Sequence, residues 1–178
     1  MDNFKTALKK SSIAFEKHFR GPLLEILNGN FEVVEGVTKD EMAKTLDMLA
    51  GIDIWHIHKR QGVRGVASRI QYGKSWDTFT VRKTRESGAK TEYEKRIYAM
   101  KNEFLYPVLA FQGYISNDVP LSFALTKTKD IFWMIDNGYS RLKKTGKSQI
   151  GQAEFYIVNW RDMVKKERRI EIRYLSCR

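Results

Sequence analysis

Cysteine is nearly absent from this chain of 178 residues: the single Cys177 can form no internal disulfide and completes no cysteine-rich metal site. Long apolar runs are missing too. None approaches the roughly 20 residues needed to cross a bilayer, and the opening MDNFKTALKK runs straight into an amphipathic pattern, with no signal-peptide core behind a basic start. These absences lead one to expect a soluble, unexported protein of the reducing cytoplasm with no membrane partner. Several catalytic signatures are also lacking: there is no GxxxxGK(S/T) phosphate loop, no dinucleotide-binding glycine fingerprint and no C-x-x-C pair. With only 3 histidines, a serine or cysteine nucleophile has no motif to support it. His56 and His58 form an HxH pair that would project from one face of a strand as two zinc ligands, but no further histidine or cysteine nearby completes a set.

Basic charge is plentiful. The chain carries 32 Lys and Arg against 21 Asp and Glu, a formal net charge of +11, which favours a polyanionic partner such as nucleic acid. Its length and its 42% hydrophobic content suit a single domain over residues 1–178. Phe4, Leu8, Phe15 and Phe19 recur at helical spacing and predict a first amphipathic helix, ended or kinked at Gly21-Pro22, with another turn over residues 23–27. Asn28-Gly29-Asn30 reads as a turn into a strand over residues 31–35, and Thr38 with Glu41 caps a short helix over residues 38–46. Thr91 and Glu94 repeat the capping pattern before a helix whose apolar stripe is Tyr93, Ile97, Met100 and Phe104, with Glu92 and Arg96 as an ordinary surface pair. VLAFQGYI, LSFALTK and EFYIVNW read as strands and residues 129–137 as a helix, while residues 82–90 and 141–147 read as basic loops.

The stretch from Asp47 to Arg82 carries most of the chemistry. Asp53 follows a glycine inside an apolar run, next to Ile52, Ile54 and Trp55, which are expected to be buried, so its carboxylate needs a cation or a metal. VASRIQ alternates Ala67, Arg69 and Gln71 with Val66, Ser68 and Ile70, and DTFTVR sets Thr78, Thr80 and Arg82 opposite Phe79 and Val81. Neighbouring strands with one polar working face are expected.

A carboxylate on a strand after Gly51, polar residues on the next strand, and a helix on either side, all in a basic chain, together resemble the PD-(D/E)XK nuclease superfamily. Gly51-Ile52-Asp53, with Asp47 six residues earlier, is similar to that family's Asp motif, and VASRIQ stands in the place of its third strand. The resemblance in topology runs from Phe4 to Phe104. It implies an α+β or α/β fold in which a central mixed sheet flanked by helices contains a restriction-endonuclease-like αβββαβ core. It also implies a metal-dependent DNA endonuclease that hydrolyses phosphodiester bonds with Mg²⁺ or Mn²⁺ at Asp53 and Asp47, and with Asp53, Arg69, Gln71 and Glu92 as the catalytic group. The chain departs from the family at Arg69-Ile70-Gln71, where Glu/Gln-x-Lys is expected: a cation stands in the carboxylate position and an amide in the lysine position. Lys83 or Lys95 are candidates for the missing charge, and Asp47, Glu92, Glu16 or Glu25 for the second carboxylate that Mg²⁺ needs. Arg82, Lys83, Arg85, Lys143, Lys144 and Lys147 are the expected nucleic-acid contacts. The alternative is a non-catalytic nucleic-acid-binding module in which Asp53 is a buried partner of Arg69 and the basic loops hold phosphates.

Overall fold

The computed structural model describes residues 9–33, 51–86, 88–145 and 152–175. The expected helix over residues 38–46, Asp47 and Lys147 lie outside these residues. Helix α1 (residues 9–27) runs through Gly21-Pro22 without ending there. Pro22 has no N–H to give to the preceding turn. That turn, Phe15–Phe19, is widened to a π-helix in which the Arg20 N–H reaches the Phe15 carbonyl. The phenylalanine spacing read from the sequence places Phe15 and Phe19 in the core, where they make edge contacts with Phe31, Phe111 and Phe123.

The strands are β1 (Asn30–Val33), β2 (Ile54–His58), β3 (Gly62–Tyr72), β4 (Thr78–Arg85), β5 (Leu109–Ser116), β6 (Val119–Lys127), β7 (Arg141–Lys144), β8 (Ala153–Asn159) and β9 (Ile170–Tyr174). The remaining helices are α2 (Glu92–Lys101), α3 (Thr128–Asp136) and α4 (Trp160–Lys165). Six strands form a mixed sheet in the order β1-β2-β3-β5-β6-β9, antiparallel except for the parallel pair β3 and β5. A parallel pair needs a crossover, and the crossover here contains β4 and α2.

Both faces of the large sheet are covered. Leu109, Phe111 and Ile115 pack with α1, while Ala110 and Tyr114 face a second cluster built from β4, α3, β8 and α4. A strand buried on both faces reads as a nearly continuous apolar run, as β5 does.

Three sequence expectations need correction. DTFTVR does form a strand with Phe79 and Val81 buried, but it does not neighbour β3: that edge is taken by β5, and β4 joins a second, three-stranded sheet in the order β4-β8-β7. Because β8 supplies a partner, β4 continues to Arg85, into the expected loop. For the same reason Arg141–Lys144 is an edge strand rather than a loop, with all four residues exposed. Lysine on an edge strand discourages pairing with another chain.

Gly113 sets the distance between α1 and the sheet. A Cβ there would lie 2.8 Å from Phe19 Cζ and 2.9 Å from Phe19 Cε2. Gly113→Ala should therefore overpack the core and cost about 1–3 kcal/mol, read as a lowered midpoint in urea. An unchanged midpoint would mean that α1 is not packed this closely.

A cation-rich candidate site

A cavity of about 620 Å³ is walled by Ala67 to Gln71 of β3, Phe79 to Arg82 and Arg85 of β4, Glu92, Lys95 and Arg96 of α2, and Ala110 to Gln112 of β5, with Gly51 and Asp53 at its side. The alternation of β3 packs Val66 and Ile70 with the α1 cluster and sets Arg69 and Gln71 on the other face, and the cavity reaches both faces of the strand. Arg69 lies in register with Gln112 and donates to Thr80 Oγ1 at 3.2 Å, and Thr80 in turn donates to Gln112 Oε1 at 3.3 Å. The second Arg69 amino group is ion-paired with Glu92, whose other oxygen accepts the Arg82 N–H at 3.3 Å. One carboxylate thus ties β3, β4 and α2 together.

The capping box expected at Thr91 holds Glu92 in place. The Thr91 N–H donates to Glu94 Oε2 at 2.7 Å, the Glu94 N–H donates to Thr91 Oγ1 at 3.3 Å, and the Thr91 hydroxyl donates to the Lys83 carbonyl at 3.1 Å. Glu92 stands in the first turn of α2, where the helix dipole favours negative charge. Burial opposes its ionisation, but the guanidinium groups of Arg69, Arg96 and Arg82 and the Arg82 N–H outweigh that and hold its carboxyl below the usual range. Glu92 is therefore no ordinary surface partner of Arg96.

Asp53 precedes β2 and extends its pairing with β3: its N–H donates to the Val66 carbonyl at 3.1 Å, and Oδ2 accepts the Ser68 N–H at 2.6 Å. Of its expected buried neighbours, Ile52 and Ile54 are buried and Trp55 is half-buried. The pairing of Asp53 with Arg69 is not observed, because Glu92 takes that guanidinium. Asp53 acts electrostatically on Arg96 instead. Burial lowers the pKa of Arg96, while Glu92 and Asp53 favour its charge.

A bulge decides which arginines reach the cavity. Arg82 is paired with Phe155 and Thr84 with Glu154, so Lys83 is an extra residue and Arg85, paired with Ala153, returns to the face of Arg82. Strict alternation would put Arg85 on the opposite face. Arg69 and Arg82 both lie over the Phe155 ring, at 5.3 and 5.4 Å.

Among the described residues, the charged side chains that line the cavity are those of Arg69, Arg82, Arg85, Lys95 and Arg96 and the carboxylates of Asp53 and Glu92. Six buried side-chain nitrogens among the described residues lack a hydrogen-bond partner, and four of them are on residues that line this cavity: Arg82, Arg85 and Arg96 Nε, and Gln112 Nε2. No protein-family model, curated protein or solved structure matches the chain.

Of the residues singled out from sequence, Asp53, Arg69, Gln71, Glu92, Arg82 and Arg85 come together in this cavity. Lys83 points elsewhere, near Glu154 and the Tyr156 ring; Lys144 is 3.5 Å from Glu154, and Lys143 lies over Trp76. Sequence reasoning missed Arg96 and Gln112, although both carried a signal. Arg96 stands three residues after Tyr93 and four before Met100, on the inward stripe of α2, and Gln112 is a polar residue within an apolar strand. Phe104, assigned to that stripe, lies past the end of α2 and is exposed.

The histidine pair is engaged structurally. His56 is buried; its Nε2 donates to the Asn28 carbonyl at 2.6 Å and its Nδ1 accepts from Arg64 at 3.0 Å, so both ring nitrogens are used. Burial, with Arg64 and His58 nearby, lowers its pKa despite the Asn28 bond.

Among the described residues, no three or more His, Cys, Asp or Glu side chains gather to hold a metal. Among the described residues, Asp53 and Glu92 would be the donors for Mg²⁺, but each carboxylate already accepts an N–H, Glu92 is bound by a guanidinium, and four arginines line the same cavity. This donor set suits an anion better than a divalent cation.

Glu92→Gln should destabilise the fold by about 1–3 kcal/mol at neutral pH, between the cost of losing an exposed ion pair and that of breaking a buried one, because the two side chains are half-buried. Because the folded pKa is depressed, the contribution of Glu92 is complete above the unfolded value of about 4.3 and is lost as pH falls through the folded value. Urea melts across pH should show that acid-sensitive component in the wild type and not in the variant. Equal acid sensitivity would place the coupling elsewhere.

Proposed function

We propose that this chain binds nucleic acid by gripping backbone phosphate in the cavity between β3, β4 and α2. The observation that carries the reading is that Arg82, Arg85, Arg96 and Gln112, which line one cavity, each hold a buried N–H donor without a partner, where among the described residues four arginines meet the carboxylates of Asp53 and Glu92. A buried donor left unsatisfied costs about 1–3 kcal/mol, and phosphate oxygens would accept these bonds while neutralising the charge. Arginine suits the role because its planar fork matches phosphate geometry. The net charge of +11 draws a polyanion toward the site from a distance. No helix among the described residues is long and apolar enough to cross a membrane.

Metal-dependent cleavage of DNA is the second reading. It is favoured by Asp53, Gln71 and Glu92 lining one cavity, and by the order α1-β1-β2-β3-α2-β5 with β3 and β5 parallel and β4 inserted. That order agrees with the αβββαβ core implied by the nuclease resemblance. A metal would need a ligand beyond the described carboxylates, a role open to Asp47.

The test of phosphate binding is fluorescence anisotropy with a 20-base-pair duplex across a salt series. Arg82→Gln/Arg85→Gln should weaken binding about tenfold or more and flatten the slope of log affinity against log salt by about 0.9 for each phosphate that the variant no longer neutralises. Unchanged affinity and slope would overturn the reading. Calorimetry with Mn²⁺ addresses cleavage: a site present in the wild type and missing in Asp53→Ala, together with nicking of plasmid DNA by the wild type alone, supports it. Neither heat nor nicking leaves binding without hydrolysis.

A further inference from the structure

Trp76 stands in the turn between β3 and β4 with 55% of its surface exposed. Two ammonium groups from distant parts of the chain converge on its ring: Lys74 Nζ lies 3.9 Å from the centroid, and Lys143 Nζ, from the edge strand β7, lies 5.4 Å from it. Neither lysine is in an ion pair among the described residues. Four positions earlier Tyr72 is 47% exposed, with Lys10 Nζ 4.3 Å from its ring centre. The turn itself is firmly held. Ser75 donates to Asp77 Oδ1 at 2.6 Å and is 2.7 Å from the Ser122 hydroxyl, Tyr174 donates to Asp77 Oδ2 at 3.0 Å, and the Asp77 carbonyl accepts the Trp160 N–H at 2.9 Å. Trp76 is thus a pre-positioned ring in solvent, bonded to the fold on both sides of its place in the chain.

We propose that this turn is a stacking platform for a single-stranded segment of nucleic acid. An unpaired base lies on the Trp76 indole, and Lys74 and Lys143 leave the ring for the flanking phosphates. The partner rests on the nucleic-acid reading above; the specificity does not. Lysines alone would hold duplex and single strand alike through their phosphates. The indole adds selectivity, because a duplex has already stacked its bases on one another while a single strand offers each base as a free face. The platform reads strandedness rather than sequence, since every base has such a face. Its rigidity lowers the ordering cost on binding.

The experiment compares an oligo(dT) 20-mer with a 20-base-pair duplex by anisotropy, using wild type, Trp76→Ala, Trp76→Phe and Arg82→Gln/Arg85→Gln, with thermal melts of each to verify folding. Trp76→Ala should weaken binding of the single strand about tenfold, Trp76→Phe should restore most of it, and the duplex should bind both variants as it binds wild type. Single-strand affinity unchanged in Trp76→Ala, or an equal loss on both probes, would overturn the platform. The arms separate the two proposals: an effect of the arginine pair without an effect of Trp76 keeps the cavity and removes the platform, and the reverse keeps the platform and removes the cavity. Wild type that binds neither probe would overturn both.

Discussion

The ion pair between Arg69 and Glu92 joins three elements that the chain keeps apart in sequence. Arg69 comes from the polar face of a central strand, Glu92 from the first turn of a helix, and the second oxygen of Glu92 takes a backbone N–H of β4. Without it, the half-buried Arg69 guanidinium would lose its carboxylate, and Glu92 would be left to Arg96 and Arg82. The pair also consumes the charge that would otherwise let Glu92 serve as a metal ligand. The neighbouring guanidinium groups of Arg82, Arg85 and Arg96 therefore face the cavity with their charge only partly balanced.

That arrangement leaves two sets of groups within one cluster of charge. Arg69, Glu92 and Thr80 hold the two sheets and α2 in register, while the buried nitrogens of Arg82, Arg85, Arg96 and Gln112 remain without partners. Native proteins leave few buried donors unpaired, and four such nitrogens on residues lining one cavity are the support for the phosphate reading proposed above. The Trp76 turn adds a second kind of contact, an aromatic face beside lysines. Phosphate recognition and base stacking would then come from different parts of the same chain.

Much of this was legible in the residues themselves. The alternation in VASRIQ identified the polar face of β3, the Thr91 and Glu94 spacing gave the capping box, and the burial cost of a carboxylate after Gly51 singled out Asp53. What stayed hidden depended on pairing between distant segments. Nothing local says that β4 pairs with β8 rather than β3, and the bulge at Lys83 that turns Arg85 toward Arg82 exists only in that pairing. The pairing of Arg69 with Asp53, offered as the alternative, fails for a related reason: Asp53 is nearer in sequence, but a helix start after a long excursion brings Glu92 to Arg69 in space. Arg96 was hidden by its chemistry, since an arginine four residues from a glutamate looks like a solvated pair until the apolar stripe beside it is counted.

Whether the unpartnered arginine nitrogens of the cavity are phosphate ligands is read most directly from those nitrogens themselves. In proton–nitrogen correlation spectra of arginine side chains, with signals assigned by single Arg→Lys replacements, a short oligonucleotide is titrated into the protein. Phosphate binding in the cavity predicts saturable shifts and slowed solvent exchange for the Nε–H groups of Arg82, Arg85 and Arg96, with the Arg69 signal little changed because Glu92 already holds it. Binding that perturbs only exposed arginines such as Arg141 and Arg161, and leaves the three cavity signals where they were, would contradict it.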